Sequence, residues 1–263
     1  MQSLSADLKA RIAQLEWRGH TIRLDDDTLT RPDTAPLIES ARYVTLLKLF
    51  ERFVGDPAGK RVGDMGPLEG GFALALAQAG ADVVGIEARG TNMRKLDILT
   101  EHFALPNLRF EQADVKDVTR PKGGKWDAVL ALNIVHHLDE PAKWLATVSK
   151  TTDTIIVETN IAPADHEMEG HRFAHVLRKL RTQTHGEAEY TGRWFREFQP
   201  DQDPEPLVLA AWSNPDSFWL TRDSLARALV NAGFKTVFDY TDRYIINSNT
   251  KTTVPRALLV ASH

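Results

Sequence analysis

The sequence predicts an α/β fold of the doubly wound kind, and three observations predict it. The first is the stretch Arg61–Ala77. A short apolar run closes on Asp64, a tight turn carries Gly66 and the pair Gly70-Gly71, and an Ala/Leu-rich helix follows. The glycines let backbone approach backbone or a ligand closely, and the helix aims its free N–H groups into the turn. The second is Glu87, which closes the run Ala81–Ile86 twenty-three residues after Asp64, the length of one strand–helix–strand unit. A carboxylate at such a strand tip can accept hydrogen bonds from both hydroxyls of a ribose. The third is Trp126–Leu132, apolar after Asp127, as a strand covered by helices on both faces must be.

The remaining elements follow in order. Leu4, Leu8, Ile12 and Leu15 recur at helical spacing behind Ser3 or Ser5 as N-cap, and Gly19 ends that helix. The acids Asp25–Asp27 read as a solvated loop. A second helix is expected from Pro36 to about Val54, with Leu37, Ala41, Val44, Leu47 and Leu46 or Phe50 on its apolar face and Arg42 and Tyr43 beside it. Asn92–Phe103 reads as a helix, Leu108–Glu111 as the third strand, Pro141–Lys150 as a helix and Thr154–Asn160 as the fifth strand.

From Ile161 to Pro206 the alternation stops. Phe173, Val176, Leu177 and Leu180 fall at helical spacing, so a helix is expected there, with His171 and His175 on its polar face. Together with His166, His185, Asp165 and Glu167 these are metal-ligating residue types, but the face reads as solvated and basic, and no metal is assigned. The stretch Gly186–Phe198 mixes aromatic rings with arginines, as a cover over a substrate needs. Leu207–Trp212 suggests a short strand. Phe218–Leu220 precedes a helix capped by Thr221 and ended by Gly233, and Phe234–Tyr240 and Arg256–Val260 are the last two strands.

Composition narrows the function. The chain has 263 residues, 42% of them apolar, enough for one large domain with an insertion or two small ones. Net charge is −4 with acids and bases interspersed, which argues against a nucleic-acid partner. Cysteine is absent, so disulfides, thiolate metal sites and cysteine nucleophiles are excluded. No apolar run reaches the roughly 20 residues of a membrane span, and the N-terminus lacks a signal-peptide pattern. A cytoplasmic protein acting on a small molecule, without membrane contact, is expected; a homodimer is compatible with this.

The stretch from Asp64 resembles the S-adenosylmethionine (SAM) site of class I methyltransferases, whose pattern is a strand, an acid and G-x-G-x-G before a helix. Asp64 takes the acid position, Gly66 the first glycine and Gly70 the last, while Leu68, behind Pro67, stands where the middle glycine belongs. The run Leu132-Asn133-Ile134-Val135-His136-His137-Leu138 resembles the fourth-strand motif of the small-molecule members. The resemblance implies a Rossmann-like, seven-stranded mixed sheet closed by an antiparallel strand pair, with N-terminal helices and an inserted lid. It divides the chain into an N-terminal helical cap (1–55), a SAM-binding core (56–160), a substrate lid (161–220) and a C-terminal helix with the closing strands (221–263).

The same resemblance implies roles. Asp64, Gly66, Pro67, Leu68 and Gly70 shape the methionine and ribose side of SAM, Glu87 with Ala88 holds the ribose, and Asp114 and Val115 hold adenine. Asn133 and Tyr43 are further cofactor contacts. His136 or His137 is the candidate base, and Glu158, Asn160, Arg193, Trp194 and Trp212 are candidates for the acceptor pocket. The reaction implied is methyl transfer to oxygen or nitrogen of a small polar molecule, a sugar or secondary metabolite. An RNA-modifying methyltransferase and a SAM-binding module that has lost catalysis are the alternatives; the Leu68 departure points toward the second.

Overall fold

The computed structural model describes residues 3–117, 120–121, 124–168, 173–242 and 255–263. The regular alternation of the sequence becomes five parallel strands: β1 (Arg61–Met65), β2 (Asp82–Glu87), β3 (Leu108–Gln112), β4 (Trp126–Leu132) and β5 (Thr152–Asn160). Two more strands complete a seven-stranded sheet of order β3-β2-β1-β4-β5-β10-β9, in which β10 (Arg256–Ser262) runs antiparallel to both β5 and β9 (Thr236–Asp239). Order reverses at β1, between β2 and β4, so a crevice opens at the carboxyl ends there.

Helices cover both faces. Along β4, Ala128, Leu130 and Leu132 pack toward α1 (Ala6–Ala13), α2 (Ala41–Phe53), α3 (Gly71–Gln78) and α4 (Gly90–Phe103), while Val129 and Ala131 pack toward α5 (Pro141–Val148) and α6 (Arg222–Asn231). The period-two alternation thus feeds two separate cores.

Three expectations are corrected. The helix from Pro36 is interrupted: a single 3-10 turn, Leu37–Glu39, precedes Ser40, whose hydroxyl caps α2 by accepting from the N–H of Tyr43 at 3.1 Å. A side chain able to bond its own backbone starts a helix better than it continues one. The helix expected around Phe173–Leu180 is instead strand β6 (Leu177–His185), which turns through Gly186 (φ +61°) into β7 (Ala188–Arg196). Phe218–Leu220 belongs to β8 (Asp216–Leu220), which pairs with β7, so the insertion carries a three-stranded antiparallel sheet. Leu207–Trp212 forms turns rather than a strand. His171 lies outside the described residues, and among those described no three metal-ligating side chains cluster. No helix among them is long and apolar enough to cross a membrane.

Candidate functional site

The glycine-rich turn keeps a regular path despite Leu68. Gly66, Leu68 and Gly70 all have left-handed backbones (φ +71°, +56° and +75°). For leucine that conformation costs roughly 1–2 kcal/mol. The adjoining structure holds it: the Leu68 N–H donates to Glu87 Oε2 at 3.3 Å, and the Leu68 side chain lies where a Cβ on Gly19 would be.

Glu69 then grips the N-terminal segment. Its carboxylate accepts the successive N–H groups of Arg18, Gly19 and His20 at 2.6, 2.9 and 2.6 Å, and Lys95 Nζ at 3.0 Å. In return the Gly71 N–H, at the start of α3, donates to His20 Nδ1 at 3.1 Å. Burial, with Arg42 nearby, lowers the His20 pKa to about 4, so the ring is neutral and its proton sits on Nε2. The expectation that Gly19 ends the first helix is corrected, since α1 already stops at Ala13, and no feature of the sequence singled out Arg18 or His20; the signal was Glu69, placed inside a turn where the resemblance implies only glycine spacing.

The crevice is a cleft of about 370 Å³. Asp64, Gly66, Pro67 and Leu68 line it from β1 and its turn, Glu87 and Ala88 from β2, Asp114 and Val115 after β3, and Asn133 and His137 after β4. Burial raises the Asp64 carboxyl to about 7; Arg42 opposes this and Glu87 adds to it. Burial also raises Glu87, whose Oε1 accepts the Arg89 N–H at 2.9 Å. Asp114 closes a local turn by accepting from the Lys116 N–H at 2.9 Å, and Trp144 pins the next residue by donating to the Val115 carbonyl at 2.8 Å. Asn133 is left-handed (φ +61°), its N–H donates to the Glu158 carbonyl at 2.6 Å, and its buried Oδ1 has no hydrogen-bond partner among the described residues.

The two histidines separate. His136 is buried: its Nδ1 lies 3.0 Å from Thr159 Oγ1 and 3.3 Å from the Asn160 N–H, and burial pushes its pKa well below the ordinary value. It does not line the cleft. His137 does, with Nδ1 2.9 Å from Glu197 Oε1. That glutamate, just past β7, also accepts from Ser217 Oγ at 2.6 Å and the Ala211 N–H at 3.1 Å.

Other candidates lie off the cleft for identifiable reasons. Gly70 faces inward, where a Cβ would meet Leu96, Leu99 and Phe110. Tyr43 packs on Phe72 at 6.1 Å between ring centroids. Glu158 is fully buried and pairs with two arginines that do line the cleft, Arg42 (2.7 Å) and Arg256 (3.1 Å). Asn160 ends β5 behind His136. Arg193 is spent on scaffold, donating to the carbonyls of Pro163 and Arg178 and to Asp165. Trp194 packs edge-on against Phe218. Trp212 does line the cleft, beneath the Arg89 guanidinium at 5.5 Å.

Val208–Asn214 form a strap along the cleft, of which sequence reading named only Trp212. Arg89 ties it down, donating to the carbonyls of Pro204 (3.3 Å), Ala210 and Ala211 (both 2.8 Å). Glu205 accepts from the N–H groups of Gly90 and Thr91, at the start of α4.

The residues fit an adenosine cofactor with an amino-acid tail. Glu87 suits a ribose, Asp114 an exocyclic amine, and the unpartnered Asn133 Oδ1 with the Asp64 carboxylate suits an ammonium.

Comparison with known proteins agrees. The sequence profile of a family described as a methyltransferase domain matches residues 38–237. The ubiquinone biosynthesis O-methyltransferase of Acinetobacter baylyi (strain ATCC 33305 / BD413 / ADP1) is 27% identical over 110 residues, 42% of this chain and 44% of that protein. Its namesake in Psychrobacter arcticus (strain DSM 17307 / VKM B-2377 / 273-4) is 31% identical over 86 residues, 32% of this chain and 34% of that protein. The chain spans less than half the length of these curated relatives. Among solved structures, the N-terminal domain of EvdMO1, crystallised in the presence of SAH and D-fucose, superposes with a TM-score of 0.71 at 23% identity over 97% of this chain and 95% of that one. Magnesium protoporphyrin IX methyltransferase (ChlM) from Synechocystis PCC 6803 with bound SAH gives 0.53 at 16% identity over 84% and 82%. With the profile covering most of the chain and the seven-stranded sheet in place, the chain belongs to the methyltransferase-domain family.

Proposed function

We propose that the protein transfers the methyl group of SAM to a hydroxyl oxygen of a small, sugar-like molecule. One observation carries the reading: His137 opens into the same cleft as Asp64, Glu87 and Asp114. SAM supplies an already activated methyl on a sulfonium, so the protein's work is placement. Glu87 orients the ribose, Asp114 and Val115 the adenine, and Asp64 and Asn133 the ammonium. His137 takes the proton of the acceptor hydroxyl, as a neutral imidazole does well near pH 7. The oxygen assignment is supported by curated relatives named as O-methyltransferases. The sugar assignment is supported by the EvdMO1 domain, crystallised in the presence of D-fucose.

Calorimetric titration with SAM and S-adenosylhomocysteine tests the cofactor half. Glu87→Ala is expected to weaken both by on the order of 1.5–3 kcal/mol, the loss of a charged hydrogen bond. Methyl transfer from radiolabelled SAM to a monosaccharide panel that includes D-fucose tests the acceptor half. Label appearing in tRNA rather than in any sugar would replace this reading with the RNA-modifying one.

A further inference from the structure

We propose that Glu197 is the positioning residue of the proton-transfer step: delivered by the insertion, it fixes His137 in the tautomer whose Nε2 lone pair is free to meet the acceptor. This rests on the reading of His137 as the base.

An ionised carboxylate only accepts hydrogen bonds. Glu197 Oε1 lies 2.9 Å from His137 Nδ1, so the neutral ring carries its proton on Nδ1 and its lone pair on Nε2. The carboxylate is kept ionised against its burial. Burial pushes its pKa up, but the charge His137 carries once protonated and the hydrogen bonds from His137 Nδ1, Ser217 Oγ and the Ala211 N–H outweigh that, and the net result is below the ordinary glutamate value. The other charged or titratable groups around the pair are His136, whose ring centroid is 4.1 Å from that of His137 and which burial keeps neutral, and Arg89 on the strap side.

The geometry is that of a built orienting group. The Glu197 side chain is 2% exposed while that of His137 is 18% exposed. The carboxylate's three donors come from separate segments: the turn after β4, the strap and β8. The histidine's backbone is also held, since Asn214 Nδ2 donates to the His137 carbonyl at 3.0 Å. The Glu197 N–H donates to the Pro215 carbonyl at 2.9 Å. No other carboxylate bonds the His137 ring among the described residues. The core sheet therefore supplies the base, and the insertion supplies the group that orients it.

In the step so arranged, the acceptor O–H bond breaks and its proton passes to His137 Nε2. The oxygen forms its bond to the methyl carbon as the carbon–sulfur bond breaks, with that electron pair staying on sulfur. The imidazolium formed lies against the Glu197 carboxylate until water takes the proton.

The first test needs no acceptor. Nitrogen NMR of the ring of His137 in labelled protein saturated with S-adenosylhomocysteine is expected to show the proton on Nδ1. A proton on Nε2 would overturn the proposal. The second test uses whichever sugar of the panel is methylated. Glu197→Gln is expected to lower kcat by about 10²-fold with KM for SAM within threefold, and Glu197→Asp to restore part of the loss. Equal changes in kcat and in SAM affinity, or no rescue by aspartate, would reduce Glu197 to a packing role. A wild-type protein that binds SAM and methylates no hydroxyl would remove the reading underneath, a different failure from the first two.

Discussion

Lys95 and Glu69 meet at 3.0 Å with side chains 1% and 0% exposed, an ion pair shut away from water at the glycine-rich turn. Removing one partner of such a pair strands a buried charge and costs about 3–5 kcal/mol. Glu69→Gln is expected to destabilise the fold by that order in urea unfolding. The double variant Glu69→Gln/Lys95→Met is expected to recover much of the loss, because Lys95 is then no longer stranded. The pair also sets an acid limit. Burial pushes the Glu69 carboxyl up, but the N–H groups of His20 and Arg18 together with Lys95 bring it below the ordinary value. Its contribution is present above the usual glutamate range and is lost as pH falls through its lowered pKa.

Asp64 has the opposite sign. Burial lifts its carboxyl from the ordinary 3.8 to about 7. Between those values the unfolded chain gives up the proton while the folded one keeps it, so stability falls as pH rises through that window. Asp64→Asn is expected to stabilise the ligand-free protein by on the order of 2–4 kcal/mol at pH 8 and by little at pH 4, while weakening SAM binding. Thermal unfolding at the two pH values, with calorimetry, checks both halves. A variant destabilised at pH 8 would show that the carboxylate holds the turn together rather than waiting for a ligand.

Asn133 joins a left-handed backbone to a buried oxygen that finds no partner among the described residues. Asn133→Gly keeps the backbone at ease and deletes the amide. The expected result is stability within about 1 kcal/mol of the parent and SAM affinity reduced by roughly tenfold or more, the worth of a hydrogen bond to a charged group. Unchanged affinity would mean that Asn133 serves only the turn.

What could be read from sequence was whatever is local. Asp64 and Glu87 each end an apolar run and Asp114 stands two residues past the third strand, so strand and acid are written in neighbouring residues, and all three line the cleft. The insertion misled because Phe173, Val176, Leu177 and Leu180 mimic helical spacing, whereas the strand β6 exists by virtue of its partner β7 across the Gly186 turn. Pairing across a turn outweighs a four-residue pattern. Arg193 and Trp194 have the composition of a ligand pocket, but the tertiary fold spends both on scaffold. Glu197 was illegible for the same reason: its meaning lies in His137, sixty residues away in the chain.

The strap is held chiefly by its main chain. Among the described residues the Arg89 guanidinium donates to carbonyl oxygens, those of Pro204, Ala210 and Ala211, and a carbonyl is the same whichever side chain stands beside it. The strap can therefore drift in sequence at Val208 and Leu209 without coming loose, while Glu87, which lines the same cleft from β2, stays fixed. Randomising those two positions is expected to alter which acceptors are methylated while S-adenosylhomocysteine affinity holds; a collapse of that affinity would refute it. Such an arrangement separates inheritance of the donor from exploration of the acceptor, and lets one half of the reaction diversify while the other is conserved by construction.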